Sequence, residues 1–325
     1  MGREYHALSA SHHGLERGTV LVDGTVVRGF PSVPRVLHLE AGVTRFFESG
    51  PVYVEEKLNG YNVRIVAVDG EPLAFTRGGH LCPYTTRRAH ALLDLEPFFG
   101  DHPDRMLCAE FIGPETPYTT HDYADVDSHD LRVFGVRDRV SGAPLSVDRR
   151  RDLCTEYGFG QPELFGAFDL DRTAARVHEV IGDLAARDRE GVVMKSADGT
   201  ALLKYTTSRQ HHEELAYAFE LPFERGQDFL FSRVLREAFQ AHERDESPEE
   251  LRERAHEIGE AILLPFVETI GEVDAGEPVG EDHTVRGDPE SVDALLDHVD
   301  NLGVTLEVVS RERDGDEVVV EFQKV

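Results

Sequence analysis

No stretch of the chain approaches the ~20 uninterrupted apolar residues that a membrane span needs. The opening residues, MGREYHALSASHHGLERG, contain no apolar core of a signal peptide, so no secretory leader is expected. Cysteine occurs only at 82, 108 and 154, with no C-x-x-C pair. A zinc or disulfide framework is therefore not expected, and a reducing cytoplasm fits. No internal repeat is visible. Lysine is also scarce: it stands at 57, 195, 204 and 324 and nowhere else. A chain that fills its other cationic positions with arginine, yet keeps lysine at three interior places, points to a need for an amine. Lysine can lose its proton and attack; guanidinium cannot.

What is abundant is negative charge. Asp and Glu number 62 against 34 Lys and Arg, a formal charge of −28. The acids are spread along the chain and not gathered in a tail. Self-repulsion on this scale is tolerable where salt screens it, and at ~1 M salt the Debye length is only ~3 Å. The composition suits a salt-rich cytoplasm such as that of halophilic archaea. Binding of nucleic acid would have to rest on a local cleft and not on the global field.

Along the chain, residues 17–30 read as a hairpin turning at Asp23-Gly24. Strands are expected at 52–56, 61–68, 72–76, 106–112, 131–137, 191–195 and 200–205. Helices are expected at about 87–95, 148–157 and 172–187. From about 210 the texture becomes helical. One helix is ended by Pro222 and a second covers 227–243. A third opens with the capping box Ser247-Pro248-Glu249-Glu250. Leu251, Ala255, Ile258, Ile262, Phe266 and Ile270 form an apolar stripe along it. Residues 271–287 read as a linker. A last helix opens at Asp288-Pro289, carries Leu302 and stops at Gly303; strands at about 304–310 and 317–324 follow. The length suits two to three domains.

The chemistry centres on Glu56-Lys57-Leu58-Asn59-Gly60-Tyr61-Asn62. A lysine leaves a strand, meets a turn that Gly permits, and the chain re-enters a strand. This projects one amine from a rigid sheet edge, where attack on a nucleotide α-phosphate would give a phosphoramidate. Such an amine must be activated by desolvation or by neighbouring cations, for which Lys195 and Lys204 are candidates. By itself the four-residue pattern also suits an ordinary exposed lysine at a strand end.

EEKLNGYNVRI resembles motif I of the covalent nucleotidyltransferases, the group of DNA ligases, RNA ligases and mRNA capping enzymes. It is most similar to the archaeal-type ATP-dependent RNA ligases. Five further elements follow in order: Thr76-Arg77-Gly78-Gly79, Met106–Gly113 containing Glu110, Val133-Phe134-Gly135-Val136, Glu190-Gly191-Val192-Val193-Met194-Lys195, and Leu203-Lys204-Tyr205. Two positions depart from the pattern. Asn59 stands where Asp is common, which removes a carboxylate that could help to bind metal. Gly135 follows Phe134 where the family usually has Asp, which removes an ionic role there.

The resemblance implies an α+β fold. A nucleotidyltransferase (adenylation) domain of antiparallel sheets with flanking helices would span 51–209, after a β-rich module at 1–50. A helical, dimerising region at 210–272 and a small C-terminal α/β module at 285–325 would follow. It implies ATP and Mg²⁺ or Mn²⁺ as cofactors, and RNA with 5′-phosphate and 3′-hydroxyl ends as substrate, possible circularisation included. A homodimer is implied too. Lys57 would be the nucleophile, Glu190 the metal-holding acid and Lys204 a contact of the α-phosphate, with Lys195 beside it. Glu110 would meet the ribose and Phe134 stack on adenine, with Glu56, Asn62 and Arg77 as further nucleotide contacts. A DNA ligase or a GTP-using capping enzyme usually appends an oligonucleotide-binding barrel after the last motif. The helical reading of 210–270 favours an RNA ligase over both. A non-catalytic RNA-binding relative is disfavoured by the intact Lys57, Glu190 and Lys204. His211-His212 reads as a solvent-facing helix start, without the spacing of a metal pair. Arg87-Arg88 and Arg149-Arg150-Arg151 are the basic clusters, read as partners of surrounding acids ahead of RNA contacts.

Overall fold

Runs rich in β-branched and apolar residues build the strands, and their register decides which face each side chain takes. The computed structural model describes residues 3–221, 225–277, 279–301 and 305–324. It begins β1 (Tyr5–Ala7), β2 (Val20–Val22), β3 (Thr25–Val27), α1 (Leu39–Phe46), β4 (Val52–Lys57), β5 (Tyr61–Val68) and β6 (Glu71–Thr76). Next come α2 (Pro83–Leu92), α3 (Leu95–Asp101), β7 (Arg105–Ile112), β8 (Asp130–Asp138), α4 (Val147–Glu156), β9 (Leu164–Phe168) and α5 (Leu170–Ala186). Then follow β10 (Gly191–Ser196), β11 (Leu202–Thr206), α6 (Ser208–Glu220), α7 (Gln227–Glu243) and α8 (Pro248–Ala275). The chain closes with β12 (Glu281–Gly287), α9 (Pro289–Asn301), β13 (Leu306–Asp314) and β14 (Glu317–Lys324). The strands form antiparallel sheets ordered β1-β2-β3, β6-β5-β7-β8, β11-β10-β4-β9 and β12-β14-β13. The fold is α+β.

Two of these sheets frame the site. In the β6-β5-β7-β8 sheet, Val63, Ile65, Leu107 and Phe111 pack under α2, α3 and the C-terminal sheet. The opposite face carries Val66, Met106 and Cys108 against Val20, Val22 and Val27 of the N-terminal hairpin. In the β11-β10-β4-β9 sheet, Val52, Val54, Val192, Met194, Leu203 and Tyr205 pack against α1 and α5. Period two then puts Glu55, Lys57, Val193, Lys195 and Lys204 on its other face.

The strand and helix expectations up to residue 260 hold with a few differences. The helix expected at 87–95 is two helices, α2 and α3. The first begins earlier because Pro83 can occupy a first helical position, while the Cys82 sulfur accepts from the Thr85 N–H. β1, α1 and β9 are short elements with no strong periodic signal. The linker expected at 271–287 is corrected: α8 runs to Ala275, and Glu281–Gly287 is β12. Its buried positions, His283, Val285 and Gly287, alternate correctly, but acids and a histidine hide the pattern. The capping box forms as expected, with Ser247 N–H donating to Glu250 Oε2 at 2.7 Å. Pro222, Leu302, Gly303 and residue 304 lie outside the described residues.

Candidate active site

A cavity of about 550 Å³ opens between the two framing sheets. The turn between β4 and β5 delivers Lys57 to it. Gly60 is required there, because a Cβ would meet the Phe111 carbonyl oxygen at 2.2 Å. Tyr123 pins the same turn by accepting from the Asn59 N–H at 2.7 Å. Asn59 itself turns its side-chain amide toward His121 Nδ1 and Gln210 Oε1, at 3.5 and 3.4 Å. Lys57 lies opposite Gly191 in the β4–β10 register, and its Nζ is ion-paired with the Glu190 carboxylate. Gly191 has φ +152°, and a Cβ there would strike the Tyr205 carbonyl oxygen at 2.3 Å, so glycine alone brings Glu190 this close. The Glu190 carbonyl accepts from Thr207 N–H at 2.9 Å, which fixes the loop.

Lys204 stands on the same sheet face. Burial, reinforced by Arg35 and Lys57 and opposed by Glu190, lowers its ammonium to about 8. Glu110 faces the group from the other sheet. Burial raises its carboxyl to about 7, with Lys57 opposing and Glu190 adding to the rise. Asn62 pairs with Glu110 in the β5–β7 register, and its Oδ1 is buried without a hydrogen-bond partner. Arg77 is exposed at the cavity rim. Beside it, the fully buried Arg64 donates to the carbonyls of Arg28 and Thr76, each at 2.7 Å. Arg64 therefore holds the backbone and does not face a ligand.

Phe134 occupies a β-bulge: Gly135 pairs with Cys108 and Val133 with Ala109, leaving Phe134 unmatched. Its ring lies edge-on to Phe30, 5.3 Å between centroids. Lys195 is nearly enclosed. Its Nζ meets Glu55 at 2.7 Å and the Phe134 carbonyl at 2.9 Å. Burial would raise the Glu55 carboxyl, but Lys195 and Arg150 outweigh it and hold it down at about 2. Glu56 is buried next to Lys57 with Arg189 Nε at 3.4 Å, and burial raises its carboxyl.

Eight of the nine residues expected from sequence line this cavity, though Lys195 has its amine satisfied by protein; the ninth, Glu190, meets it through its ion pair with Lys57. Missed were Phe30, Glu55, Tyr123 and His298. Glu55 lay inside the first motif; the others carried no signal, since only folding brings them near. His298 comes from α9, and its ring is 5.9 Å from that of His80 at the cavity wall. His211 is a correction. It is buried, with Nε2 2.8 Å from Thr206 Oγ1 and Nδ1 paired with Glu237, because α7 covers that side of α6. Arg87 pairs with Asp288 and Glu290, Arg88 with Glu317, and Arg150 and Arg151 with Glu55. The ion-pairing reading holds for these four arginines.

A strand-end lysine held between two antiparallel sheets, with an acid and a second lysine at the cavity, defines the chain as a nucleotidyltransferase. Residues 50–206 match the RNA ligase family model, and 217–325 match the model of the C-terminal region of ligase Pab1020. An uncharacterized protein of Methanocaldococcus jannaschii, MJ0414, is 39% identical over 96% of this chain and 81% of its own. The solved structure of an archaeal ATP-dependent RNA ligase, form 2, is 42% identical, with TM-score 0.94 over 100% of this chain and 87% of that one. A structure from Aquifex aeolicus, provisionally assigned as an ATP-dependent DNA ligase, is 27% identical. It has TM-score 0.93 over 100% of this chain and 90% of its own. The chain belongs to the archaeal ATP-dependent RNA ligase family and is an ATP-dependent RNA ligase.

Proposed function

We propose that Lys57 is the nucleophile of a three-step ligation. Its nitrogen attacks the ATP α-phosphorus and pyrophosphate leaves, giving lysyl-AMP. A 5′-phosphate oxygen of RNA then displaces the lysine, giving an adenylylated end. Finally a 3′-hydroxyl oxygen attacks that end, and AMP leaves. Each step is substitution at phosphorus, so positioning and charge neutralisation carry the catalysis. The observation that supports this most is the Lys57 amine at the cavity wall, beside Glu190 and on one sheet face with Lys204.

In this reading Lys204 contacts the α-phosphate, Glu110 accepts from a ribose hydroxyl, and Phe134 lies against adenine. Asn62 offers its free Oδ1, and Arg77 reaches ATP or the RNA end. Lys195 and Glu55 act as positioning residues that fix the Phe134 backbone, and Glu56 braces the β4 end through Arg189. Among the described residues no group of three or more metal-ligating side chains converges. A single carboxylate at Glu190, completed by phosphate oxygens and water, fits Mg²⁺ or Mn²⁺ better than a caged ion. Such a cation would offset phosphate charge.

We infer four units: the N-terminal module at 1–50, the adenylation domain at 51–209, the helical region at 210–272 and the C-terminal module with β12. The exposed apolar face of α8 supports a homodimer, with Leu263 60% and Val267 57% exposed. Three free, buried cysteines and the charge of −28 support a salt-rich, reducing cytoplasm. Among the described residues no helix is long and apolar enough to cross a membrane.

The test is incubation of a 5′-³²P-labelled 20-nucleotide RNA, and of a DNA strand of equal sequence, with ATP, Mg²⁺ and high KCl. Phosphatase-resistant circular product from RNA is expected. Product from DNA alone would refute the reading.

A further inference from the structure

Outside the cavity, three guanidiniums converge next to Lys204. The segment carrying Arg35 is stitched to β11: Val36 N–H donates to Lys204 O at 3.0 Å, and Lys204 N–H to Pro34 O at 2.9 Å. Arg233 and Arg236 stand one turn apart on α7. Both meet a single carboxylate, Glu214 of α6, through Arg233 Nε at 2.7 Å and Arg236 Nη1 at 3.2 Å. Arg35 spends one nitrogen on the Thr206 hydroxyl. Among the described residues, the remaining guanidinium nitrogens of Arg35 and Arg236 have no protein partner. Three guanidiniums around one ion-paired carboxylate make a positive spot in a chain of charge −28. Burial, with repulsion from Arg35 and Arg233, lowers Arg236 to about 10 despite Glu214. Arg35 also lies within electrostatic reach of Glu190, the partner of Lys57, so the spot adjoins the reacting centre.

We propose that Arg35 and Arg236, braced by Arg233, hold the 5′-terminal phosphate of the RNA strand as it attacks lysyl-AMP. This rests on the lysyl-AMP chemistry proposed above. In that step a 5′-phosphate oxygen bonds to the α-phosphorus and the P–N bond to Lys57 breaks. The nitrogen keeps the bonding pair and takes up a proton. Two phosphate-bearing groups must approach each other, and forked guanidinium donors match phosphate oxygens while offsetting their charge. None of the three arginines lines the cavity that suits adenosine, so the spot is left for a second phosphate-bearing group.

The test begins with enzyme already labelled by α-³²P-ATP and freed of nucleotide. Wild type, Arg35→Gln and Arg236→Gln are mixed with RNA, and AMP transfer is normalised to the label each carries. Affinity for 5′-phosphate RNA is compared with affinity for 5′-hydroxyl RNA. Each variant should transfer roughly tenfold more slowly or worse, the size of one lost charge-assisted contact, and its preference for the 5′-phosphate should shrink toward unity. The variants lie on separate elements, and thermal unfolding identifies one that fails to fold. Transfer at the wild-type rate, or an undiminished 5′-phosphate preference in both variants, overturns the assignment. Variants that transfer normally but need more ATP to become labelled overturn it too, placing ATP's departing phosphates at the spot. A wild type that takes no label refutes the underlying chemistry instead.

Discussion

The Lys57 ammonium is paired with the Glu190 carboxylate across the β4–β10 junction. If Lys57 is the nucleophile, it attacks only after the carboxylate has found another cation. If Glu190 only restrained Lys57, its removal would speed labelling by ATP. If Glu190 holds the metal, Glu190→Ala should lower lysyl-AMP formation by about 10²-fold or more, as for loss of a charge-stabilising group. Single-turnover labelling with α-³²P-ATP separates the two.

If Lys204 contacts the α-phosphate as proposed, nucleotide binding is sensitive to pH. Its ammonium titrates at about 8, against roughly 10.4 for a free lysine. Below 8 it is charged and attracts phosphate. Above 8 the charge is lost, and binding must restore it by taking up a proton. ATP affinity, measured on Lys57→Ala to prevent turnover, should therefore fall as pH rises from 8 to 10. Lys204→Arg stays charged and should flatten that dependence. The stability linkage runs the other way. The unfolded chain binds more protons between about 8 and 10.4, so this group's contribution to stability rises with pH across that window.

The α8 face offers Leu263, Val267 and Ile270 to solvent at spacings of four and three. Leu263→Asp together with Val267→Asp should leave the fold intact and convert a dimer to a monomer in light scattering at working salt. A wild type already monomeric would contradict the dimer.

With 62 acids against 34 Lys and Arg, the folded chain repels itself in dilute buffer. Thermal unfolding should move to higher temperature as KCl rises toward ~1 M, where the Debye length is ~3 Å. A melting temperature that falls with added KCl would count against adaptation to a salt-rich cytoplasm.

The central sheets were legible because their strands are short β-branched and apolar runs bounded by turns, and their motifs sit at strand ends, as with Lys57 and Glu190. β12 was not, since its core positions are a histidine, a valine and a glycine among acids. The half of the site made by distant elements was equally hidden. Phe30, His298 and Arg35 have unremarkable local sequence; only sheet packing and α9 bring the first two to the cavity, and the β11 contacts set Arg35 beside Lys204. His211 misled because its partner Glu237 lies on the next helix, 26 residues away.

The most direct measurement is incubation with α-³²P-ATP and Mg²⁺ in high KCl, beside Lys57→Ala, followed by denaturing electrophoresis. A labelled wild-type band that is absent from Lys57→Ala is the expected result. Label that persists in Lys57→Ala, or none in a folded wild type, would contradict Lys57 as the nucleophile.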